Sequence, residues 1–133
     1  MFGYLAGIVD GEGSLLLHKH RQYGRSTYQF RPRLSVGNTH RGLMEEMQRR
    51  HGGTLISVGR RQPHHKDMYH WRVFAIPELV KLIPKIRPHL IVKARQADLL
   101  LEFLRLRLAE KGAPYGTREN QIFIKLRSLN SRC

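Results

Sequence analysis

The 133-residue chain is 41% hydrophobic, enough length and apolar content for one folded domain over residues 1–133, which excludes a disordered or low-complexity chain. Its 24 Lys and Arg against 10 Asp and Glu leave a net charge of +14, and so basic a domain points to phosphate-rich partners, because neutralising phosphates releases condensed counterions. The lone cysteine, Cys133, excludes an internal disulfide and a cysteine-based zinc site; with no apolar run near the ~20 residues of a membrane span and no signal-peptide pattern, the reading is an intracellular protein without a membrane partner.

Residues 2–12 read as a short apolar helix, closed by Gly13 in a left-handed C′ position. Its glycines Gly3, Gly7 and Gly11 are unexpected, since each interior glycine costs roughly 1 kcal/mol relative to alanine. The segment 14–36, "SLLLHKHRQYGRSTYQFRPRLSV", predicts two strands around a turn near Tyr23 to Thr27. In the second, Tyr28, Phe30, Pro32, Leu34 and Val36 alternate with Gln29, Arg31, Arg33 and Ser35, and Pro32 marks an edge or a bulge.

"NTHRGLMEEMQRRHGG" predicts a helix capped by Asn38 or Thr39 and stopped at Gly52-Gly53. A second hairpin follows, "TLISVGRR" and "MYHWRVFAI" about "QPHHKD", with Tyr69, Trp71, Val73 and Ala75 facing a core while His70 and Arg72 face away. "PELVKLIPKIRPHL" reads as a short helix interrupted by Pro84 and Pro88. "VKARQADLLLEFLRLRLAEK" is a longer helix ending near Gly112, and "RENQIFIKLRSLN" a last amphipathic one. The order is αββαββα with further C-terminal helices.

Strands apolar on one side and cationic on the other imply an α+β fold: one antiparallel four-stranded sheet with helices on one face. The bare face is then a cationic saddle suited to a DNA groove. Its candidate readers are His18, His20, Gln22, Gln29, Arg31, Arg33, Ser35, His70 and Arg72, with Arg60 and Arg61 near a hairpin tip. Arginine binds guanine bidentately and glutamine does the same to adenine; phosphate contact or plain surface is the alternative for each. His64-His65 and His18-x-His20 read as groove-contacting or exposed side chains before they read as metal ligands.

At about 100° per residue, Gly3, Ala6, Gly7 and Asp10 share one narrow face of the first helix. A face of small residues allows close approach of another helix. The chain holds no second copy of this stretch, so a twin helix comes from a second molecule in a twofold homodimer. Two such helices bring two copies of Glu12 together, and a divalent cation relieves that repulsion. The other reading of Gly11-Glu12-Gly13 is a polar turn leaving a helix.

"LAGIVDGEG", Leu5 to Gly13, resembles the LAGLIDADG motif of homing endonucleases. It matches outright at Leu5, Ala6, Gly7, Asp10 and Gly13, and conservatively at Ile8, Val9 and Glu12. "LSVGNTHRGLMEEMQRRHGG" is similar to that family's strand-to-helix segment, and "LIVKARQADLLLEF" to its lysine-bearing segment before a long helix. The resemblance implies the αββαββα endonuclease fold with its saddle in the major groove. It also implies a homodimer that binds a long, nearly palindromic double-stranded DNA site and cuts both strands by metal-dependent hydrolysis. Glu12 is then the metal-binding acid, one methylene longer than the commoner Asp, with the backbone carbonyl of Gly11 beside it and Asp10 higher in the interface. Asn38 falls where relatives carry a water-organising Gln, or simply caps a helix. Lys93 matches the lysine near the scissile phosphate, or is an ordinary helix start, and Arg41 or His40 supports that shell. Hard oxygen ligands without sulfur point to Mg²⁺. The alternatives are a maturase acting on intron RNA, a regulator that keeps the fold without cleavage, or a basic ribosomal protein. The expected setting is an organelle (chloroplast or mitochondrion) or a prokaryotic cytoplasm.

Overall fold

Period-two alternation decides which side of the sheet is dry. In a computed structural model describing residues 2–21, 28–59 and 67–131, helix α1 (Phe2–Glu12) leads into strands β1 (Gly13–Arg21) and β2 (Tyr28–Asn38). Helix α2 (Arg41–His51) and strands β3 (Thr54–Val58) and β4 (Met68–Val73) follow. Helix α3 (Ile76–Ile86), a 3₁₀ turn (Arg87–His89) and helices α4 (Ala94–Ala109) and α5 (Thr117–Asn130) complete the chain. Gln22, Arg60, Arg61, His64, His65, the turn at Tyr23 to Thr27 and Cys133 lie outside the described residues.

The sheet is antiparallel in the order β1-β2-β4-β3. Leu15, Leu17, Phe30, Leu34, Val36, Trp71 and Val73 turn to one side and are buried, together with Pro32. The helices cover that side with Leu5 and Val9 of α1, Met44 and Met47 of α2, Leu79 and Ile83 of α3, and Phe103 and Leu104 of α4. Ile122 and Leu126 of α5 extend this cover over β1, and Asn130 Nδ2 ties that helix to the Leu15 carbonyl at 3.0 Å. β2 outruns β4: Tyr28 to Arg33 pair with β1 alone, so Pro32 sits on a stretch with one open edge, as its missing N–H favours.

Three expectations about helix ends are corrected. Gly13 is not a left-handed cap; only Gly52, Gly53 and Gly112 have positive φ among the described residues. Its lack of a side chain matters for space instead, since a Cβ there would lie 2.8 Å from Val9 Cα and 3.2 Å from the Ser35 carbonyl. Neither Asn38 nor Thr39 caps α2; His40 does, its Nδ1 accepting the Leu43 N–H at 3.0 Å. Pro84 does not interrupt α3, which runs on to Ile86. A proline so near the C-terminal end removes one hydrogen bond, and buried Ile83 and Ile86 on either side hold the turn.

Gly52-Gly53 stops α2 as expected, with φ of +74° and +86°. Gly52 also gives its carbonyl to the Trp71 indole N–H at 2.7 Å. A Cβ on Gly53 would meet the Arg72 carbonyl at 2.6 Å and Trp71 Nε1 at 3.0 Å. Gly53→Ala therefore adds left-handed strain to a backbone overlap and is expected to cost about 3 kcal/mol. Urea unfolding followed by the fluorescence of Trp71 checks this; an unchanged midpoint would show that the turn relaxes.

Candidate active site

The junction of α1 and β1 contains no loop, so the acid at the helix end is placed by the sheet. Glu12 is the last residue of α1 and Gly13 the first of β1, and Gly13 pairs with Val36. The Glu12 carboxylate is exposed and accepts a hydrogen bond from Asn38 Nδ2 at 2.6 Å. Asn38 ends β2, and its Oδ1 accepts the backbone N–H of His40 at 2.7 Å. With the cap supplied by His40, the Asn38 amide is oriented by one neighbour and presented to Glu12 by its other end. The His40 ring is thus committed to α2 while its backbone N–H steadies Asn38, and Arg41 pairs with Glu45 at 2.6 Å.

Asp10 and Lys93 form a second pair one turn back. The Asp10 carboxylate accepts the N–H groups of Ile91 at 2.8 Å and Lys93 at 3.0 Å. Lys93 Nζ donates to the Asp10 carbonyl at 3.0 Å. Burial raises the Asp10 carboxyl, but backbone donors from Ile91, Lys93 and Val92 and the Lys93 charge outweigh it and hold the group below the usual carboxylate range. Lys93 is only 8% exposed; it is not a loose helix start but a cation placed on the carbonyl end of α1, where the helix dipole favours it.

The small-residue face of α1 is turned from its expected position. Ala6 is fully buried in the chain's own core, and Asp10 is used by the loop before α4. Gly3, Gly7 and Gly11 are exposed beside Tyr4, and a Cβ on Gly7 or Gly11 would meet nothing within 4 Å. Among the described residues, Gly7 and Gly11 face outward with no partner that explains their cost. Ile91 and Val92, 87% and 61% exposed, lie in the loop that Asp10 anchors.

The uncovered sheet face carries the expected readers. Register sets His18 opposite Arg31, His20 opposite Gln29, Ser35 opposite Arg72 and Gly37 opposite His70. The His70 ring lies over Gly37, where a Cβ would be 2.9 Å from Cε1. Burial, then the Arg72 and Arg33 charges, pull His70 below its ordinary value, so it is neutral at pH 7. Burial and the Arg72 charge likewise lower Arg33. Sequence reasoning missed Leu16, Ile56 and Phe74, which join this cationic face; Phe74 had a visible signal, since it keeps the parity of His70 and Arg72.

His51, between the rings of Phe2 and Trp71 at 5.7 and 6.1 Å, is also lowered, by burial and by the charges of Arg50 and Lys85. A depressed histidine leaves the folded state binding fewer protons than the unfolded one, so stability is full above about pH 6.5 and falls as pH drops below it. Thermal midpoints at pH 7.5, 6.5 and 5.5 are expected to decline in the last interval, less so in His51→Phe; pH-independent midpoints would contradict the assignment.

A divalent cation suits this donor set. Glu12 is an exposed carboxylate at the negative end of a helix dipole, a placement that a cation relieves, and the nearby donors are oxygens. Among the described residues no three His, Cys, Asp or Glu converge.

No protein-family model matches the chain, and no curated protein does. Solved structures do. The chain is similar to the homing endonuclease I-CvuI in complex with DNA, at 22% identity and a TM-score of 0.68, over 98% of this chain and 78% of that one. It is similar to the archaeal intron-encoded homing endonuclease I-Vdi141I complexed with DNA, at 22% identity and a TM-score of 0.62, over 98% and 96%. For the LAGLIDADG homing endonuclease I-SmaMI bound to cleaved DNA, the values are 17% and 0.75, over 99% of this chain and 47% of that one. The fold of this chain is that of the LAGLIDADG homing endonucleases.

Proposed function

We propose, from the LAGLIDADG homing-endonuclease fold as premise, that this chain is a site-specific DNA endonuclease that works as a homodimer and needs a divalent cation, Mg²⁺ by the hardness of its ligands. The observation that carries the reading is the Glu12–Asn38 hydrogen bond at the end of a helix whose glycine stripe faces outward. A stripe of that kind is explained by a twin helix, and a twin brings a second Glu12 to the same end. The solved neighbours support DNA as the partner, since several are DNA complexes, and one similar structure was obtained with calcium.

In this reading the bare sheet lies in the major groove, with Arg31, Arg33 and Arg72 reading guanine or phosphate and Gln29 reading adenine. Two copies carry about +28 in charge, so affinity falls steeply with salt. Glu12 of each copy and the Gly11 carbonyl would hold the cation, which would supply Lewis acidity and lower the pKa of a bound water. Asn38 holds the Glu12 carboxylate in place and orders solvent beside it. Lys93 fixes the last turn of α1, so that a phosphate reaching Glu12 meets a rigid helix end with positive charge behind it. Incubating the chain with a random duplex library and Mg²⁺, then sequencing the cut ends, tests the proposal. Recurrent double-strand cuts in one long, nearly twofold sequence are the expected result; binding of folded RNA without cutting of any duplex would reverse the reading.

A further inference from the structure

Phe74 is left unexplained by cleavage or by folding. It follows β4 directly and is 56% exposed, although its neighbours Trp71 and Val73 are buried. The ladder pairs Leu34 with Val73, so Phe74 comes level with Arg33 where β4 ends and β2 runs on paired with β1 only. An open cavity of about 510 Å³ lies there, lined by Phe74, Ile56, Arg31, Arg33 and Arg72 among others. Phe30, Pro32, Ile76 and Tyr115 line it as well, so apolar groups and arginines meet there. Arg72 Nε is buried and has no hydrogen-bond partner among the described residues, and a buried donor without an acceptor is costly until a ligand provides one.

Exposed aromatic surface beside arginines is suited to an anionic ligand that carries one small apolar group. The major groove offers such a group in the 5-methyl of thymine, beside the O6 and N7 acceptors of guanine. The cavity is open rather than enclosed, so a stacked base edge reaches it without leaving the helix. We infer that Phe74 forms one wall of a reading pocket for a thymine methyl group, adjacent to a guanine that Arg72 or Arg33 holds. Phe74 is thus a specificity-determining residue, a role that rests on the DNA reading of the sheet proposed above.

Duplex sites selected by the wild-type chain at fixed salt are resynthesised with each thymine replaced singly by deoxyuridine. One thymine per half-site, next to a guanine, is expected to lose roughly fourfold in affinity on losing its methyl, and 5-methylcytosine paired with guanine at that place to restore part of it. Phe74→Ala, at an exposed position and so expected to melt like the wild type, removes the deoxyuridine sensitivity there and leaves the other positions unchanged. A bound site with no sensitive thymine, or the same profile in Phe74→Ala, overturns the pocket while the DNA reading stands. Selection of no duplex at all, or equal binding to RNA of that sequence, overturns the reading together with the pocket.

Discussion

Glu12→Gln is expected to bind its DNA site within about twofold of the wild type and to cut it at least on the order of 10³-fold more slowly, the scale of losing a central electrostatic contact to the transition state. The substitution keeps the side-chain length and an oxygen that accepts the Asn38 amide, so the helix end and the groove are undisturbed. What disappears is the negative charge, and with it the hold on a cation. Removing an acid from a protein of net charge +14 does not weaken phosphate binding. Gel-shift titration and single-turnover cutting with Mg²⁺ separate the two effects, and a Glu12→Gln enzyme that cuts at the wild-type rate would remove Glu12 from the chemistry.

Gly7→Leu is expected to act in opposite directions on the chain and on its assembly. Nothing lies within 4 Å of a Cβ at Gly7, so leucine meets no internal clash. It also relieves about 1 kcal/mol of glycine cost in α1, so each copy should melt no lower than before. A twin helix packed on the stripe, by contrast, has no room for the added side chain, and the dimer is expected to dissociate at micromolar concentration with loss of double-strand cutting. Sedimentation velocity reads the mass directly. A Gly7→Leu protein that remains dimeric and active would place the interface elsewhere.

Much of this architecture follows from local pattern. Alternation along Tyr28–Asn38 and Met68–Val73 sorted core from groove, and Gly52-Gly53 stopped α2 because two left-handed residues end a helix whatever surrounds it. The angular spacing of Gly3, Gly7 and Gly11 was also legible, but not which part of α1 the sheet would claim. A helical wheel gives relative angles only, and packing of Leu5 and Val9 against the strands rotated Ala6 inward. Contacts distant in sequence were out of reach: Asp10 bonds Ile91 across 81 residues, so its anchoring of the Lys93 loop has no local signature. Gly13 misled for another reason, since a glycine required by close approach and one required by positive φ look the same in sequence. At Asn38 the local rule named a sound cap residue, and His40 two places on took the role, releasing the amide for Glu12.

Two Glu12 carboxylates meeting in a dimer to hold a divalent cation against DNA are the centre of the proposed function. Its most direct test is a crystal of the dimer on its selected site grown with Mn²⁺, with anomalous scattering used to locate the metal. Manganese bound by Glu12 of both copies at the paired ends of α1 is the expected result, with no such density in Glu12→Gln. Manganese held by other side chains, or Glu12 carboxylates far apart in an active complex, would contradict it.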